Sequence, residues 1–340
     1  MDSLSQLVLG AAVGEAVLGR KLGNKAILWG AIGGTIPDLD VLSGPFMSEL
    51  GELIFHRGIS HSLLFSVLFA ILLGWLIHRF NKTTSLVTRK EWQVMLFLAF
   101  STHIILDCFT VYGTQVFAPF SDYRVSWGTV AVVDPLYTIP LLLSLTITAF
   151  LVRTKGSRRV VNYLGLILST SYLLFTVYNK SRVHNVFENE LKAQNIEVTR
   201  KMTSPTIFNN ILWSCTAEAN DAYYVGLYSF YDTVPVKFSR IEKQHTLLNN
   251  IDSDYTISKL RWFCDNYFSL NNVEGKLLFN DLRFGAYFDK DGNKTDYIFS
   301  FHLEEEDGAY EMIETIIGPP KGQENEYIDT FFARIWGSNS

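Results

Sequence analysis

Long apolar runs in the first half of the chain constrain its fold more than any other feature. A transmembrane helix needs about 20 predominantly apolar residues. Four runs approach or reach that length: residues 62–77, 92–111, 130–152 and 160–178. Two shorter apolar segments, residues 4–19 and 26–36, precede them. Because a bilayer leaves no water to satisfy backbone groups, such runs form helices. The first half therefore predicts an all-α, multi-pass membrane helix bundle.

The two halves of the chain also differ in charge. The 340-residue chain has a net charge of −5, to which residues 1–180 contribute +4 and residues 181–340 contribute −9. The second half has no further apolar run of spanning length. It alternates short β-branched and aromatic runs, such as AYYVGLYSFYD, with Gly, Asn and Asp. This alternation is typical of antiparallel strands and turns. We predict a membrane domain at 1–180 and a soluble α+β domain with an antiparallel sheet at 181–340.

Basic residues in the loops predict the orientation of the bundle. Loops 20–25, 78–91 and 153–159 are rich in Lys and Arg, whereas loops 37–61 and 112–129 hold one basic residue each. Basic loops stay in the cytoplasm. We therefore expect the other two loops and the acidic second half outside. The N-terminal residues show no signal peptide, so the membrane segments are expected to direct insertion.

Imidazoles and carboxylates gather at the predicted outer ends of the membrane segments. Both groups are ligands for zinc, manganese or iron. The six candidates are Asp38, Asp40, His56, His61, His103 and Asp107. His103 and Asp107 are four residues apart, so they share one helix face, and ionisable groups inside a membrane usually mark function. A His–Asp pair that joins two helices and an Asp-x-Asp turn or cap are the structural alternatives. The combined pattern favours a metal site.

Other polar residues at the same level could support chemistry. Arg57 could orient a ligand, hold a phosphate or contact a lipid headgroup. Arg124 lies in the outer loop, and Asp134 at the start of a helix could cap it, orient a His or help to hold metal. We expect Asp40 or Asp134 to act as general base. Gln6 lies near the outer end of the first segment and could touch the site.

Several classes of function lack their motifs. There is no GxSxG, no Walker A loop and no GxGxxG in a strand-to-helix turn. The acidic second half does not suit nucleic acid. The three cysteines have no zinc-ribbon spacing, and a Cys215–Cys264 disulfide would require an extracytoplasmic second half.

The order of motifs in residues 1–180 resembles one known family. GTIPDLDVL, HRGISHS and STHIILDCFTVYGT follow the opening DSLSQLVLGAAVGEAVLGRK. This series is similar to the YbcI/YdjM-like bacterial inner-membrane proteins, called predicted membrane-bound metal-dependent hydrolases. PTIFNNILW and LLFNDLRFG resemble the C-terminal extension of the longer members. The resemblance implies a multi-pass inner-membrane protein whose metal site uses the six candidates. Many members have a His where this chain has Gln6.

A metal-dependent hydrolase is the main functional hypothesis. Mixed His and carboxylate ligands favour zinc, as one or two ions. A site at the outer face suits a lipid-borne ester or phosphoester, with Arg57 or Arg124 holding the phosphate. The alternative is a non-catalytic metal-binding scaffold or a transporter. Transport needs polar groups through the whole membrane depth, and here only Glu15 lies deeper. The expected partner is the lipid bilayer, and no nucleic acid.

Overall fold

The chain divides into two compact units. The computed structural model describes residues 1–80, 86–248, 254–318 and 324–337, so Lys82 and its neighbours in the predicted loop 78–91 lie outside the described residues. Unit 1 comprises Met1–Phe46, Phe55–Val177 and Ile207–Asn209, and unit 2 comprises Met47–Ile54, Tyr178–Thr206 and Asn210–Ser340. The assignment of residues 1–180 to the membrane and 181–340 to the outside stays a prediction.

Helices make up the N-terminal part of the chain. They are α1 (Ser3–Leu22), α2 (Asn24–Thr35), α3 (Glu49–Phe55), α4 (Leu63–Phe80), α5 (Arg89–Cys108), α6 (Pro135–Phe150) and α7 (Gly156–Ala193). Side chains at the helix starts explain several of these bounds. Asp2 accepts a hydrogen bond from the Ser5 N–H at the start of α1. Thr88 and Glu91 form a reciprocal capping box at the start of α5.

Two helices within the described ranges, α4 and α7, are long and apolar enough to cross a membrane. α7 runs for 38 residues and joins the predicted fourth span to the polar stretch after it. α6 is apolar but has 16 residues, because Asp134 caps it and Pro135 occupies its first turn. The helical first half is confirmed, and the number of spans stays a prediction.

Apolar side chains cover the outside of unit 1. Leu68 of α4 is 58% exposed, Leu143 of α6 58% and Leu168 of α7 57%. Extended apolar surface of this kind is unfavourable in water and suits contact with lipid chains.

α1 and α2 form an antiparallel pair with direct backbone contact. Gly10 and Gly14 of α1 face Gly30 and Gly34 of α2, and a Cβ on any of the four would overlap the backbone of the facing helix. Each helix thus carries a small-xxx-small motif, which lets membrane helices approach closely. α1 also packs on α5 and α6, so it lies at the centre of the bundle.

Unit 2 carries the strands. They are β1 (Arg200–Pro205), β2 (Leu212–Glu218), β3 (Ala222–Ser229), β4 (Phe238–Glu242), β5 (Phe268–Val273), β6 (Lys276–Asp281), β7 (Ala286–Phe288), β8 (Lys294–Tyr297), β9 (Phe299–Glu306) and β10 (Ala309–Ile317). They form antiparallel sheets in the orders β1-β2-β3-β4, β10-β9-β6-β5 and β7-β8. Two helices, α8 (Tyr255–Phe263) and α9 (Glu324–Ile335), accompany them. The predicted antiparallel sheet is confirmed, and Cys215 and Cys264 are free, buried thiols.

The C-terminal end of α7 supplies part of the unit 2 core. Val183, Phe187 and Leu191 lie four residues apart on one face and pack with Trp213 and Cys215 of β2. This i, i+4, i+8 spacing is the apolar stripe of a helix that covers a sheet.

The close contact of the α1 and α2 glycines leads to a testable prediction about the thermal stability of the protein. Gly30→Val inserts a branched side chain where only backbone fits, so we expect a destabilisation of about 3 kcal/mol. It is measured as a lowered midpoint of thermal unfolding in detergent. Gly156→Ala is the matched control, because its Cβ meets no other atom within 4 Å. Equal midpoints for the wild type and Gly30→Val would contradict the close contact of α1 and α2.

Candidate metal centre

Asp38 and Asp40 lie on a 3-10 segment, Ile36–Phe46, directly after α2. Pro37 cannot donate a backbone hydrogen bond, which favours the end of an α-helix at this point. From this segment, Asp38 reaches His103 of α5, and Asp40 reaches Ser60 in the segment before α4.

The remaining candidates come from two other segments. His61 ends a 3-10 turn, Ile59–His61, just before α4. Ser62 caps α4, since its hydroxyl accepts a hydrogen bond from the Phe65 N–H at 3.0 Å. His103 and Asp107 lie one turn apart on α5, as their spacing predicts.

Four of the six candidates converge on one point. The ligand atoms of Asp38, His61, His103 and Asp107 lie within 4.8 Å of one another. His61 Nε2 is 3.2 Å from both His103 Nε2 and Asp38 Oδ1. Asp107 Oδ2 lies 3.4 Å from His61 Nε2 and 3.6 Å from His103 Nε2. The Asp38 side chain is 17% exposed and the other three side chains are fully buried.

Hydrogen bonds at the far side of each ring orient the two imidazoles. His103 Nδ1 donates to the Gly34 carbonyl at 2.7 Å. Ser60 Oγ donates to Asp40 Oδ2 at 2.9 Å, so it accepts from His61 Nδ1 at 2.9 Å. With Nδ1 donating, a neutral ring presents a lone pair at Nε2 to a metal ion, whereas in the absence of an ion a protonated Nε2 donates to a carboxylate such as Asp38. Metal-binding histidines are oriented in the same way.

The cluster fits a divalent metal ion. Two imidazole lone pairs and two carboxylates around one point repel one another unless a cation lies between them. Asp107 Oδ2 is buried and receives no hydrogen bond from the described part of the chain. Metal–ligand distances of about 2.0–2.1 Å in a tetrahedron separate neighbouring ligand atoms by about 3.3 Å, close to the spacings here. The cluster could therefore hold an ion, and other first-row metals fit the donor set as well as zinc does.

Asp40 and His56 lie beside the four-residue cluster and outside it. His56 Nδ1 is 3.0 Å from Asp40 Oδ1. Asp40 Oδ2 accepts from the Arg57 backbone N–H at 3.1 Å and lies 3.4 Å from His61 Nδ1. The His56 side chain is 24% exposed, and its ring packs edge-on against Tyr112. Asp40 thus lies on the Nδ1 side of the candidate ligand His61, and it also contacts the His56 ring.

Arg57 lies against the cluster and is buried. It adopts a left-handed backbone conformation with φ of 59°. Its Nη1 donates to Thr110 Oγ1 at 3.1 Å, and its Nε is 3.4 Å from Asp107 Oδ2. The guanidinium carbon is 4.6 Å from the centre of the Tyr112 ring. Arg57 therefore offsets the negative charge of Asp107.

α1 contacts the other oxygen of Asp107. Gln6 Nε2 donates to Asp107 Oδ1 at 2.9 Å and to the His103 carbonyl at 3.2 Å, and the Met1 amino group also contacts Asp107 Oδ1. The sequence placed Gln6 near the site. The sequence could not predict that the Gly34 carbonyl accepts from His103, because every residue type has a backbone carbonyl. Thr110 was also missed, although its position three residues after Asp107 could have indicated it.

Two of the expected catalytic residues make their contacts elsewhere in unit 1. Arg124 Nη2 donates to the carbonyls of Tyr112 and Gly113. Asp134 accepts from the Leu136 N–H at 3.0 Å and from the Tyr172 hydroxyl at 2.7 Å. Neither Arg124 nor Asp134 belongs to the four-residue cluster. Asp134 instead has the capping role that the sequence left open.

Electrostatics keep the two carboxyl groups of the 3-10 segment ionised. Burial raises the pKa of Asp38, but hydrogen bonds with His103 and His61 outweigh burial and hold this pKa well below its usual range. Burial likewise raises the pKa of Asp40, and hydrogen bonds with His56 and His61 bring it below its usual range. Both groups are therefore carboxylates at neutral pH, as metal ligation or hydrogen-bond acceptance requires.

Comparison with known proteins places the whole cluster inside a family match. Residues 1–183 match the model of the YdjM inner membrane protein family. A Bacillus subtilis (strain 168) protein, described as uncharacterized protein YfhP, is 24% identical over 288 residues, which cover 78% of this chain and 83% of that protein. No solved structure shows significant similarity to the chain. Because the family match spans more than half of the chain, the protein belongs to the YdjM inner membrane protein family.

Proposed function

We propose that this protein is a membrane-embedded, metal-dependent hydrolase acting on a lipid-borne ester or phosphoester at the outer membrane face. The convergence of two imidazoles and two carboxylates in unit 1 carries the proposal. A bound divalent ion would polarise a substrate oxygen and lower the pKa of a water ligand. Catalytic sites keep one coordination position open. Asp38 is the most exposed of the four candidate ligands, so water or substrate would approach a bound ion from its side.

The residues beside the cluster suggest further roles. Asp40 holds Nδ1 of the partly exposed His56 at 3.0 Å, an arrangement suited to moving a proton to or from a leaving group. The guanidinium groups of Arg57 and Arg124 lie 4.6 and 5.1 Å from the Tyr112 ring centre. We infer that these two guanidinium groups are the ones that a substrate phosphate would contact. Asp40 is preferred over Asp134 as the residue that controls protons, because Asp134 is committed to helix capping.

A non-catalytic scaffold is the second candidate function. It is favoured by the full burial of His61, His103 and Asp107 and by the presence of four protein ligands, which is the number in closed structural zinc sites. Transport is less favoured. Glu15, the acidic group deeper in the bundle, is neutralised by Arg158 at 2.8 Å.

The first prediction concerns bound metal. His61→Ala and His103→Ala should each lose the ion, because each removes a buried Nε2 ligand. The measurement is the metal content of the detergent-purified protein, determined by inductively coupled plasma mass spectrometry. His184→Ala is the matched control, since the His184 side chain is 43% exposed on α7. Wild-type metal content in both ligand variants would refute a metal site at this cluster.

The second prediction separates His56 from the ligands. His56→Ala should keep its metal and lower turnover of a micellar phosphoester lipid by about 100- to 10,000-fold, the range for general acid–base groups. Asp40→Asn should weaken metal affinity about 10- to 100-fold, because Asp40 orients His61 through Ser60. Loss of metal in His56→Ala would make His56 a ligand. A metal-loaded wild type without ester or phosphoester turnover would favour the scaffold.

The third prediction tests the orientation. Lys290→Cys, in an exposed turn of unit 2, should react with a membrane-impermeant maleimide in intact spheroplasts. Lys155→Cys, in the basic loop before α7, should react only after lysis. The native cysteines give little background because all three are buried, and burial raises the pKa of Cys215 to about 12. The reverse labelling pattern would overturn the proposed orientation.

A further inference from the structure

A basic pocket of about 180 Å³ lies in unit 1, far along α1 from the metal cluster. It is formed by the C-terminal part of α1, the segment after α6 and the start of α7. Arg20 lies 14 residues after Gln6 on α1, a helical rise of about 21 Å. The pocket is therefore a separate site, at the end of the bundle that the basic loops assign to the cytoplasm.

One ion pair forms the base of this pocket. Arg158 Nε and Nη2 bind the two carboxylate oxygens of Glu15 at 2.8 Å, and both side chains are at least 96% buried. Arg158 also donates to the Leu151 carbonyl and to Asn24 Oδ1. Because four of its five N–H donors are already used, Arg158 is held in place within the pocket, and Glu15 offsets its charge.

The other charged residues of the pocket are all cations. They are Arg20, Arg153, Lys155 and Arg159. Within the described ranges, no carboxylate lies within ion-pair distance of any of them, in contrast to Lys21, which follows Arg20 in the last turn of α1 and pairs with Glu91. Four cations without a counter-charge around one concave site favour an anion such as a phosphate.

Asn162 adds an acceptor to the same pocket. It is 1% exposed, and its Nδ2 donates to the Ala12 carbonyl at 3.0 Å. Its Oδ1 is buried and receives no hydrogen bond from the residues that the structure covers. A buried acceptor without a donor is unfavourable. A ligand with a hydroxyl group beside its phosphate would satisfy it.

Exposed apolar side chains are sequence neighbours of the residues that line the pocket. Phe150 at the end of α6 is 87% exposed, Val152 is 57% exposed and Val160 on α7 is 58% exposed. These side chains flank the cations in sequence. A ligand that joins a phosphate to acyl chains could occupy the pocket and cover this surface at once, whereas a free phosphate could not.

We propose that this pocket binds the phosphate and hydroxyl groups of an anionic phosphoglycerol lipid headgroup. The phosphate contacts the basic side chains, and a headgroup hydroxyl donates to Asn162 Oδ1. Basic pockets between membrane helices on the cytoplasmic side hold anionic headgroups by the same physical means. The lipid thereby joins α1 to α7 at the end of the bundle opposite the metal cluster.

Lipid retention measured by native mass spectrometry in detergent tests this proposal. The wild type should retain phosphatidylglycerol and not phosphatidylcholine. Lys155→Gln/Arg159→Gln should raise the dissociation constant for phosphatidylglycerol by about 30-fold, since each basic group near an anionic headgroup contributes about fivefold. Arg89→Gln/Lys90→Gln, two exposed cations at the start of α5, is the matched control and should bind as the wild type does. Equal retention by the pocket variant and the wild type would overturn the site.

Two further arms identify the ligand chemistry. Free glycerol 3-phosphate should not compete at the concentration of the lipid, and equal competition would replace the lipid with a soluble phosphate. Phosphatidylmethanol carries the same charge without headgroup hydroxyls, so it should bind severalfold more weakly than phosphatidylglycerol. Equal affinity for the two lipids would show that Asn162 Oδ1 does not bind a headgroup hydroxyl, which would overturn that part of the proposal. An unchanged thermal midpoint of the pocket variant shows that its fold is intact.

Discussion

The backbone contact between α1 and α2 determines where the polar groups of unit 1 can lie. Gly10 and Gly30 let the two helices touch, which leaves no room for a side chain between them. The same pairing brings the Gly34 carbonyl to His103 and Gln6 to Asp107. A shift of one helix along the other would separate these partners. The close packing of α1 and α2 and the orientation of the cluster therefore depend on the same contact.

Burial makes the charges of this unit interdependent. Asp107 is surrounded by Arg57, His61 and His103, and Glu15 is matched by Arg158. An unpaired charge at either place would be costly in a low-dielectric interior. Each carboxylate therefore fixes the position of a residue from another helix or loop. Polar residues here provide both binding chemistry and the tertiary arrangement.

The sequence predicted types of structure better than their limits. Apolar runs located the helices, but Asp134 and Pro135 begin α6 later than the run does, because capping overrides hydropathy. The spacing of His103 and Asp107 predicted their common face. The sequence spacing could not show that His61 belongs to the four-residue cluster and that His56 lies outside it. This distinction depends on the turn at Arg57, whose φ of 59° is visible only in the structure. The basic residues of the loops predicted only which end of the bundle faces the cytoplasm. They could not predict a pocket, since its concave shape arises from tertiary packing.

The Glu15–Arg158 pair has a consequence for biosynthesis. The two residues are 143 positions apart, and Arg158 lies at the start of the last helix of unit 1. During synthesis, α1 is made with a carboxylate whose partner does not yet exist. Glu15 lacks this counter-charge until Arg158 has been synthesised. Because translation proceeds from α1 to α7, the ion pair that neutralises Glu15 can form only after the start of α7 has been made.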